Sequence, residues 1–334
     1  MNFYKTNVLR NFSLAALTCF FTLGGWANTP YPLNYHGWWT YECDFCGCAT
    51  TGGNFGYGTL GNTNFIGLRY SYQQFESKDG IFNDSPTSKE HFNTYQIWAQ
   101  LPIAPNFHLT ATVPFQDLNR EFTDRSENIS GLGDVSVIGW YTLRFKKKTA
   151  ATAAETETTM VTMPQFSGHS LRLGLGLKLP TGEFEQVLTD RVNPGFQVGT
   201  GSTDAVFSAG YSYSQKMFGV NVTGSYFLKG ENKNDYRFGN QLSYNAKVFN
   251  GFLVGTHVLA PFVGLSGDFF QKIEQYGDAL PETDGYMHLG TVGAEFSINR
   301  FVIGADVGLP LGQDLFAGDV KIKQRYLFYL NYTI

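Results

Sequence analysis

Beyond its first 27 residues the chain has no apolar run approaching the ~20 residues that a membrane-spanning helix needs, which excludes a helical membrane protein. Cationic charge is also scarce. There are 24 Lys+Arg against 28 Asp+Glu, and Lys5 and Arg10 lie in a segment expected to be removed, so the mature chain carries a net charge near −6. That balance argues against nucleic acid as a partner. Recognisable catalytic signatures are missing as well. The six histidines, His36, His91, His108, His169, His257 and His288, are scattered, and none accompanies a G-x-S-x-G nucleophile turn. Gly174-x-Gly176 and Gly199-x-Gly201 lack the strand-to-helix setting of a phosphate loop. Cysteine is nearly absent, with three of the four packed into one stretch, YECDFCGC, from Tyr41 to Cys48.

What is present begins with an export signal. Lys5 and Arg10 precede an apolar run from about Phe12 to Leu23, and Gly25-Trp26-Ala27 supplies small residues, so cleavage after Ala27 is expected. Cys19 offers a lipoprotein alternative, but Ala16-Leu17-Thr18 fits a lipobox poorly. Aromatics make up 16% of the chain, charged residues 16%, and there are 38 glycines. An exported chain of that composition suits a transmembrane β-barrel in the outer membrane of a Gram-negative bacterium.

Strand alternation carries the fold class. Leu171, Leu173, Leu175, Leu177 and Leu179 alternate with Arg172, Gly174, Gly176 and Lys178, an apolar face for lipid and a polar face for a lumen. The same period runs through Asp134 to Phe145 and Val220 to Lys229, and at the chain end in Tyr326, Phe328, Leu330, Tyr332 and Ile334. The pattern predicts an all-β, antiparallel up-and-down barrel over 64–334 with about twelve strands: 64–75, 91–104, 106–117, 131–146, 168–180, 203–214, 217–229, 236–248, 251–264, 285–298, 300–311 and 322–334. Connection lengths alternate as a barrel with periplasmic termini requires, short at Pro105-Asn106, Ser214 to Lys216, Phe249-Asn250-Gly251 and Asn299-Arg300, and longer between. One periplasmic connection, from Lys146 to Gln165, is long, polar and rich in Ala and Thr; it reads as a flexible insertion.

Gly131-Leu132-Gly133-Asp134-Val135 leading to Trp140-Tyr141, then Lys178-Leu179-Pro180-Thr181-Gly182, then Gly199-Thr200-Gly201-Ser202-Thr203-Asp204 before Gly210-Tyr211-Ser212-Tyr213 resemble the meta-pathway phenol-degradation-like outer-membrane barrels, a group related to the secretion channel of functional amyloid systems. The resemblance covers roughly Ser130 to Ile334. It implies a twelve-stranded channel or transporter of loosely defined substrate, and it does not reach the cysteine cluster or the first three strands.

Parity of the predicted strands assigns the non-lipid face to Gln96, Trp98, Gln100, His108, Thr110, Thr112, Trp140, Arg144, Arg172, Lys178, Asn221, Thr223, Arg237, Gln241, Lys247, His257, Glu295 and Asp306. These residues suit a narrow lumen passing small solutes, aromatic or otherwise hydrophobic ones included, with Trp98, Trp140 and Phe227 either contacting solute or filling space. Arg144, Arg172 and Lys178 either meet solute or pair with Asp134, Glu295 or Asp306 and zip the lumen shut. Two other classes compete with a channel: a closed structural or binding barrel, and a lipid-modifying enzyme. Tyr141, Tyr226 and Tyr244 belong to interface girdles. The partners expected are outer-membrane lipid, the barrel-assembly machinery, a small solute and, as one allowed assembly, further copies of the chain.

The lead-in 28–63 carries Cys43, Cys46 and Cys48 to the periplasmic side or into the lumen as a plug. An oxidising compartment favours a Cys43–Cys46 or Cys43–Cys48 disulfide with one thiol left over. Three close sulfurs with Asp44 or His36 as a fourth donor suit Cu(I) or Zn(II) equally well, whereas c-type haem is excluded because no His follows Cys46.

Overall fold

The computed structural model describes residues 64–78, 86–146, 168–188, 191–215 and 217–334. The expected export signal, the cysteine segment and the long periplasmic insertion lie outside these residues.

Twelve antiparallel strands close into one barrel. They are β1 (Phe65–Lys78), β2 (Thr87–Ala104), β3 (Phe107–Glu121), β4 (interrupted, Ser126–Leu132 then Val135–Lys146), β5 (Gly168–Leu179) and β6 (Asp204–Gln215). The ring continues with β7 (Phe218–Leu228), β8 (Gln241–Asn250), β9 (His257–Phe270), β10 (Gly285–Ile298), β11 (Phe301–Leu315) and β12 (Val320–Thr333). Each strand pairs with its sequence neighbours, and β12 returns to β1 in a register running from Phe65↔Thr333 to Ser77↔Val320. Closure leaves no unpaired edge, the only way a sheet satisfies its backbone inside hydrocarbon.

The lipid face follows directly from the alternation. On β5, Leu173, Leu175 and Leu177 are 49%, 63% and 49% exposed, whereas Arg172 and Lys178 are 4% and 1% exposed. Ile303, Phe328 and Leu330 continue this apolar belt on β11 and β12. Outward histidines are capped within the surface: Tyr72 Oη lies 2.7 Å from His91 Nδ1, Tyr211 Oη 2.6 Å from His169 Nδ1, and Tyr244 Oη 2.8 Å from His288 Nδ1. Tyr244 is therefore bonded within the aromatic girdle.

Two boundaries differ from the sequence expectation. The strand expected at 236–248 begins at Gln241, and the periplasmic hairpin after it turns at Gly255-Thr256, not at Asn250-Gly251. Phe252–Val254 still pairs with His257–Leu259, which extends the ladder beyond the Asn-Gly signal, and Gly255 supplies the positive φ (63°) that the turn requires. The shift moves the ninth strand from 251–264 to His257–Phe270. Elsewhere strands run further outward than expected, so two extracellular connections shrink to 122–125 and 316–319.

Gly133-Asp134 forms a bulge in β4 that reverses the inward parity, from Ile129 before it to Ser136, Ile138 and Trp140 after it. A Cβ on Gly133 would lie 2.7 Å from Gln116 Nε2 and 3.1 Å from Val198 O, so a larger residue would push both aside, and the kink turns Asp134 into the barrel.

Candidate functional site

The interior is built in two storeys. In the upper, extracellular one the three longest outside loops (180–203, 229–240 and 271–284) fold over the mouth. Their Leu188, Phe196, Val198, Tyr236, Phe238 and Ile273 join inward side chains of the wall, such as Phe75, Phe92, Leu118 and Met287, in one buried apolar cluster. This stopper touches eight of the twelve strands: β1, β2, β3, β4, β9, β10, β11 and β12. Short loop sheets stiffen it, Val187–Leu188 against Arg191–Val192 and Tyr236–Arg237 against Glu274–Gln275.

Arg237 is corrected by this arrangement. It is expected on the lumen wall, but it lies in the loop sheet, paired with Glu274 and bridged to Glu231, because its strand starts four residues later. That pairing holds the Arg237 guanidinium above its usual pKa. His257 is also corrected: the moved hairpin places it on the outward parity, beside the ring of Phe296 at 5.8 Å.

Below the stopper a ladder of four buried charges ties one loop to the wall. Lys178 Nζ donates to Asp134 Oδ2 at 2.7 Å and lies 3.2 Å from Asp204 Oδ2; Lys229 Nζ lies 3.2 Å from the same Asp204 oxygen. Asp134 also accepts from the backbone N–H of Gly182 (3.0 Å) and Thr200 (3.0 Å) and from Thr200 Oγ1 (2.6 Å). Asp204 accepts from Ser202 Oγ (2.9 Å) and Gly230 N–H (3.1 Å). The loop is pinned at both ends, where Gly182 and Gly199 approach so closely that a Cβ on either would overlap the other's backbone. The three glycine-rich motifs of the sequence thus meet at one place, and what unites them is Lys178 between two carboxylates. Four charges buried together are tolerable because each faces an opposite charge within 3.2 Å, and both carboxylates accept further hydrogen bonds.

The lower storey is the polar wall. Trp98, Gln100, Trp140, Arg172, Lys247, Glu295 and Asp306 are buried on the inward face, and Arg144 is half-buried there, as parity assigns. Several contacts cross the interior over glycines. Lys247 on β8 reaches Asp306 on β11 (3.4 Å) across Gly264 and Gly293, and Tyr329 on β12 donates to Glu295 on β10 across Gly304. Arg69 Nε donates to Gln96 Oε1 (2.5 Å) and stacks 4.7 Å over Trp98, and Arg120 meets Glu90 at 3.0 Å. Asp268 accepts from Ser243 and Gln241, while Arg325 reaches Ser266 beside it. The aromatic residues fill space: Trp140 and Phe227, 1% and 0% exposed, pack with Ile138 and Val206, the Trp140 ring lying flat on Gly174.

Glu90, Arg120, Asp268, Arg325 and Tyr329 escape the sequence reading as site residues, as does the apolar stopper. Glu90 and Arg120 fall just beyond the strand limits drawn from periodicity. Phe196 and Val198 lie in an irregular loop where no period marks an inward face. Cys43, Cys46 and Cys48 fall outside the described residues; among the described residues no group of three or more His, Cys, Asp or Glu is placed to hold a metal ion.

No protein-family model matches the sequence, and no curated protein matches it either. Solved structures do match. An outer membrane channel from Pseudomonas putida F1 is 15% identical with a TM-score of 0.58, over 83% of this chain and 98% of that one. The transport unit of the autotransporter AIDA-I from Escherichia coli is 11% identical with a TM-score of 0.49, over 88% of this chain and all of the other. The motif resemblance to the phenol-degradation-like group thus gains no family match, and the likeness that stands is one of fold. The chain is an outer-membrane β-barrel.

Proposed function

We propose that this barrel is a gated channel that passes small solutes, its gate being the loop stopper of the upper storey. The observation that carries the reading is the contrast between the two storeys: a polar, charged wall below, and above it an apolar stopper assembled from loops and held by one ladder of ion pairs. A barrel built only for structure gains nothing from burying the thirteen charged side chains found among the described residues, since apolar packing of the same volume costs less. The fold shared with a Pseudomonas outer membrane channel supports the same reading. His91, His169 and His288 are engaged with tyrosines on the outer surface, away from the lumen, so three of the six histidines are removed as lumenal bases and the enzyme reading is weakened.

Cys43, Cys46 and Cys48 join the proposal as a soft-metal or disulfide element at the periplasmic entrance, holding Cu(I) or Zn(II) when reduced. Residues 1–27 act as the signal and 28–63 as a periplasmic or lumenal lead-in. The test is conductance in planar bilayers. The purified full chain should give rare, small openings, and a variant lacking 186–196 should give frequent ones. Silence of both proteins, or phospholipid turnover by the wild type, would remove the channel reading.

A further inference from the structure

We infer that the lipid face of the barrel at β11, β12 and β1 to β3 holds one molecule of a phosphorylated, multiply acylated glycolipid, the lipid A part of the lipopolysaccharide of the outer leaflet. The inference concerns the outer wall and does not depend on whether the lumen conducts.

A convex wall offers little concave surface, yet an apolar groove of about 630 Å³ lies on the lipid face across these strands, within the size range of ligand clefts. Small Ala305 on β11 stands among Ile303, Phe328 and Leu330, and Leu68 and Ile97 continue the lining on β1 and β2. A row of rings marks its extracellular end, with Tyr70 5.1 Å from Tyr95 and 6.3 Å from Phe328. Within hydrocarbon such a groove accepts an acyl chain.

Beyond the groove the same strands turn polar, rung by rung. Register sets Tyr72, Asn93, Asp117 and Ser130 side by side, and on the next outward rung Gln74, His91, Asn119 and Asn128. Tyr70 Oη donates to Asn93 Oδ1 (2.8 Å), and Asn128 Nδ2 donates to Asp117 Oδ1 (2.9 Å) and Asn119 Oδ1 (2.6 Å). Amides, a carboxylate and hydroxyls held in one plane match the hydroxyls of a sugar.

The third rung carries cations. Lys89 on β2 and Lys321 on β12 both lie opposite Glu76 of β1, so their stems stand about 10 Å apart across that strand. The bulge in β12 turns Lys323 outward too, 2.6 Å from Glu76, and Lys78 meets Asp319 at 3.3 Å. Glu121 faces Lys89 in register, with no ion pair between them. Lys89 and Lys321 are exposed and have no ion-pair partner among the described residues, so two ammonium groups on flexible stems are left for phosphate. Across the barrel β5 and β7 stay apolar almost to their outer ends, at Leu177 and Leu228. Groove, hydroxyl ladder and free lysines follow one another as the acyl chains and phosphorylated sugars of lipid A do; a phospholipid would leave the ladder unused.

The test titrates the full chain, refolded in detergent without lipopolysaccharide, with diphosphoryl hexa-acyl lipid A and reads occupancy by native mass spectrometry. One lipid A per barrel should bind, more tightly than phosphatidylglycerol. K89Q/K321Q should weaken it roughly thirtyfold, the loss for two lysines at an anionic membrane surface. A305F, which fills the groove, should weaken it as well, and K233Q, in the outer loops, should leave it unchanged. Heat-shifted gel mobility reports folding. If the double lysine variant does not fold, wild type decides by its preference for diphosphoryl over monophosphoryl lipid A, expected at roughly fivefold for one charge. Lipid A bound no tighter than phosphatidylglycerol, no preference between the two lipid A forms, or unchanged affinity in folded K89Q/K321Q or A305F overturns the inference. The channel reading stands or falls separately, by conductance.

Discussion

Lys178→Met removes the central charge of the ladder while keeping the length of the side chain. The wild-type ammonium serves Asp134 at 2.7 Å and Asp204 at 3.2 Å, all three groups being almost fully buried. Breaking a buried pair by deleting one partner costs about 3–5 kcal/mol, because the remaining charge is stranded. Asp204 keeps Lys229, and Asp134 keeps three hydrogen-bond donors from the loop, so the lower figure, about 3 kcal/mol, applies. If that energy holds the 180–203 loop in the mouth, the equilibrium for loop release moves by roughly a hundredfold, at about 1.4 kcal/mol per decade. The readout is open probability in single-channel records, which should rise by that order, together with a lower unfolding midpoint in urea. Asp134→Asn in the same chain removes the stranded carboxylate, so the double variant should lose less stability than the sum of the two single changes. Unchanged gating and unchanged stability in Lys178→Met would refute the view that the ladder is a latch.

Three other outcomes follow from the packing and charges. Leu175→Arg puts a cation on the lipid face of β5 and should destabilise the folded barrel by about 2–4 kcal/mol near mid-bilayer, read by urea titration in vesicles; a neutral result would mean this face does not meet lipid. Trp140→Ala empties the flat slot on Gly174 and should cost about 3–5 kcal/mol by the same titration, without change in lipid partitioning. Burial raises the pKa of Glu185, but Lys233 Nζ at 2.6 Å and Asn234 Nδ2 at 3.0 Å outweigh it and hold the carboxyl below its ordinary value of 4.5. A depressed carboxyl stabilises the loop contact above its ordinary pKa and loses that contribution as pH falls below 4.5 and through the lower, folded value, so proteolysis of the 183–198 loop should quicken over that acid range, and Glu185→Gln should abolish that dependence.

The wall was legible in the sequence because a lipid-exposed strand has one rule with a period of two, and a violation is costly on either face. Leu173, Leu175 and Leu177 therefore announce themselves, as do Arg172 and Lys178 behind them. Arg237 and His257 were misplaced by the same rule applied one step too far: the rule fixes alternation within a strand but not where the strand stops, and Phe252–Val254 pairs on past an Asn-Gly signal that marks turns elsewhere. The stopper was not legible at all. Phe196, Val198 and Phe238 lie in loops where the backbone has no period, so their inward direction is decided by contacts far away in sequence, such as Phe92 on β2, whose ring lies 6.1 Å from that of Phe196.

The glycine-rich motifs gain a physical meaning that their composition alone does not carry. Gly133, Gly182 and Gly199 are positions where a Cβ would strike a backbone or side-chain neighbour, and together they let Asp134, Lys178 and Asp204 converge from three separate segments. Lys247 reaches Asp306 from β8 to β11 over Gly264 and Gly293, where no side chain stands in the way. A barrel of twelve strands is narrow, so every such crossing occupies cross-section that solute would use. Lys247–Asp306 and Tyr329–Glu295 thus make one side of the lumen self-complementary, while the arginine-bearing wall of β4 and β5 faces it across the gap. The stopper above and these crossings below share no residue, so loosening the mouth with Lys178→Met should leave the Lys247–Asp306 and Tyr329–Glu295 contacts in place.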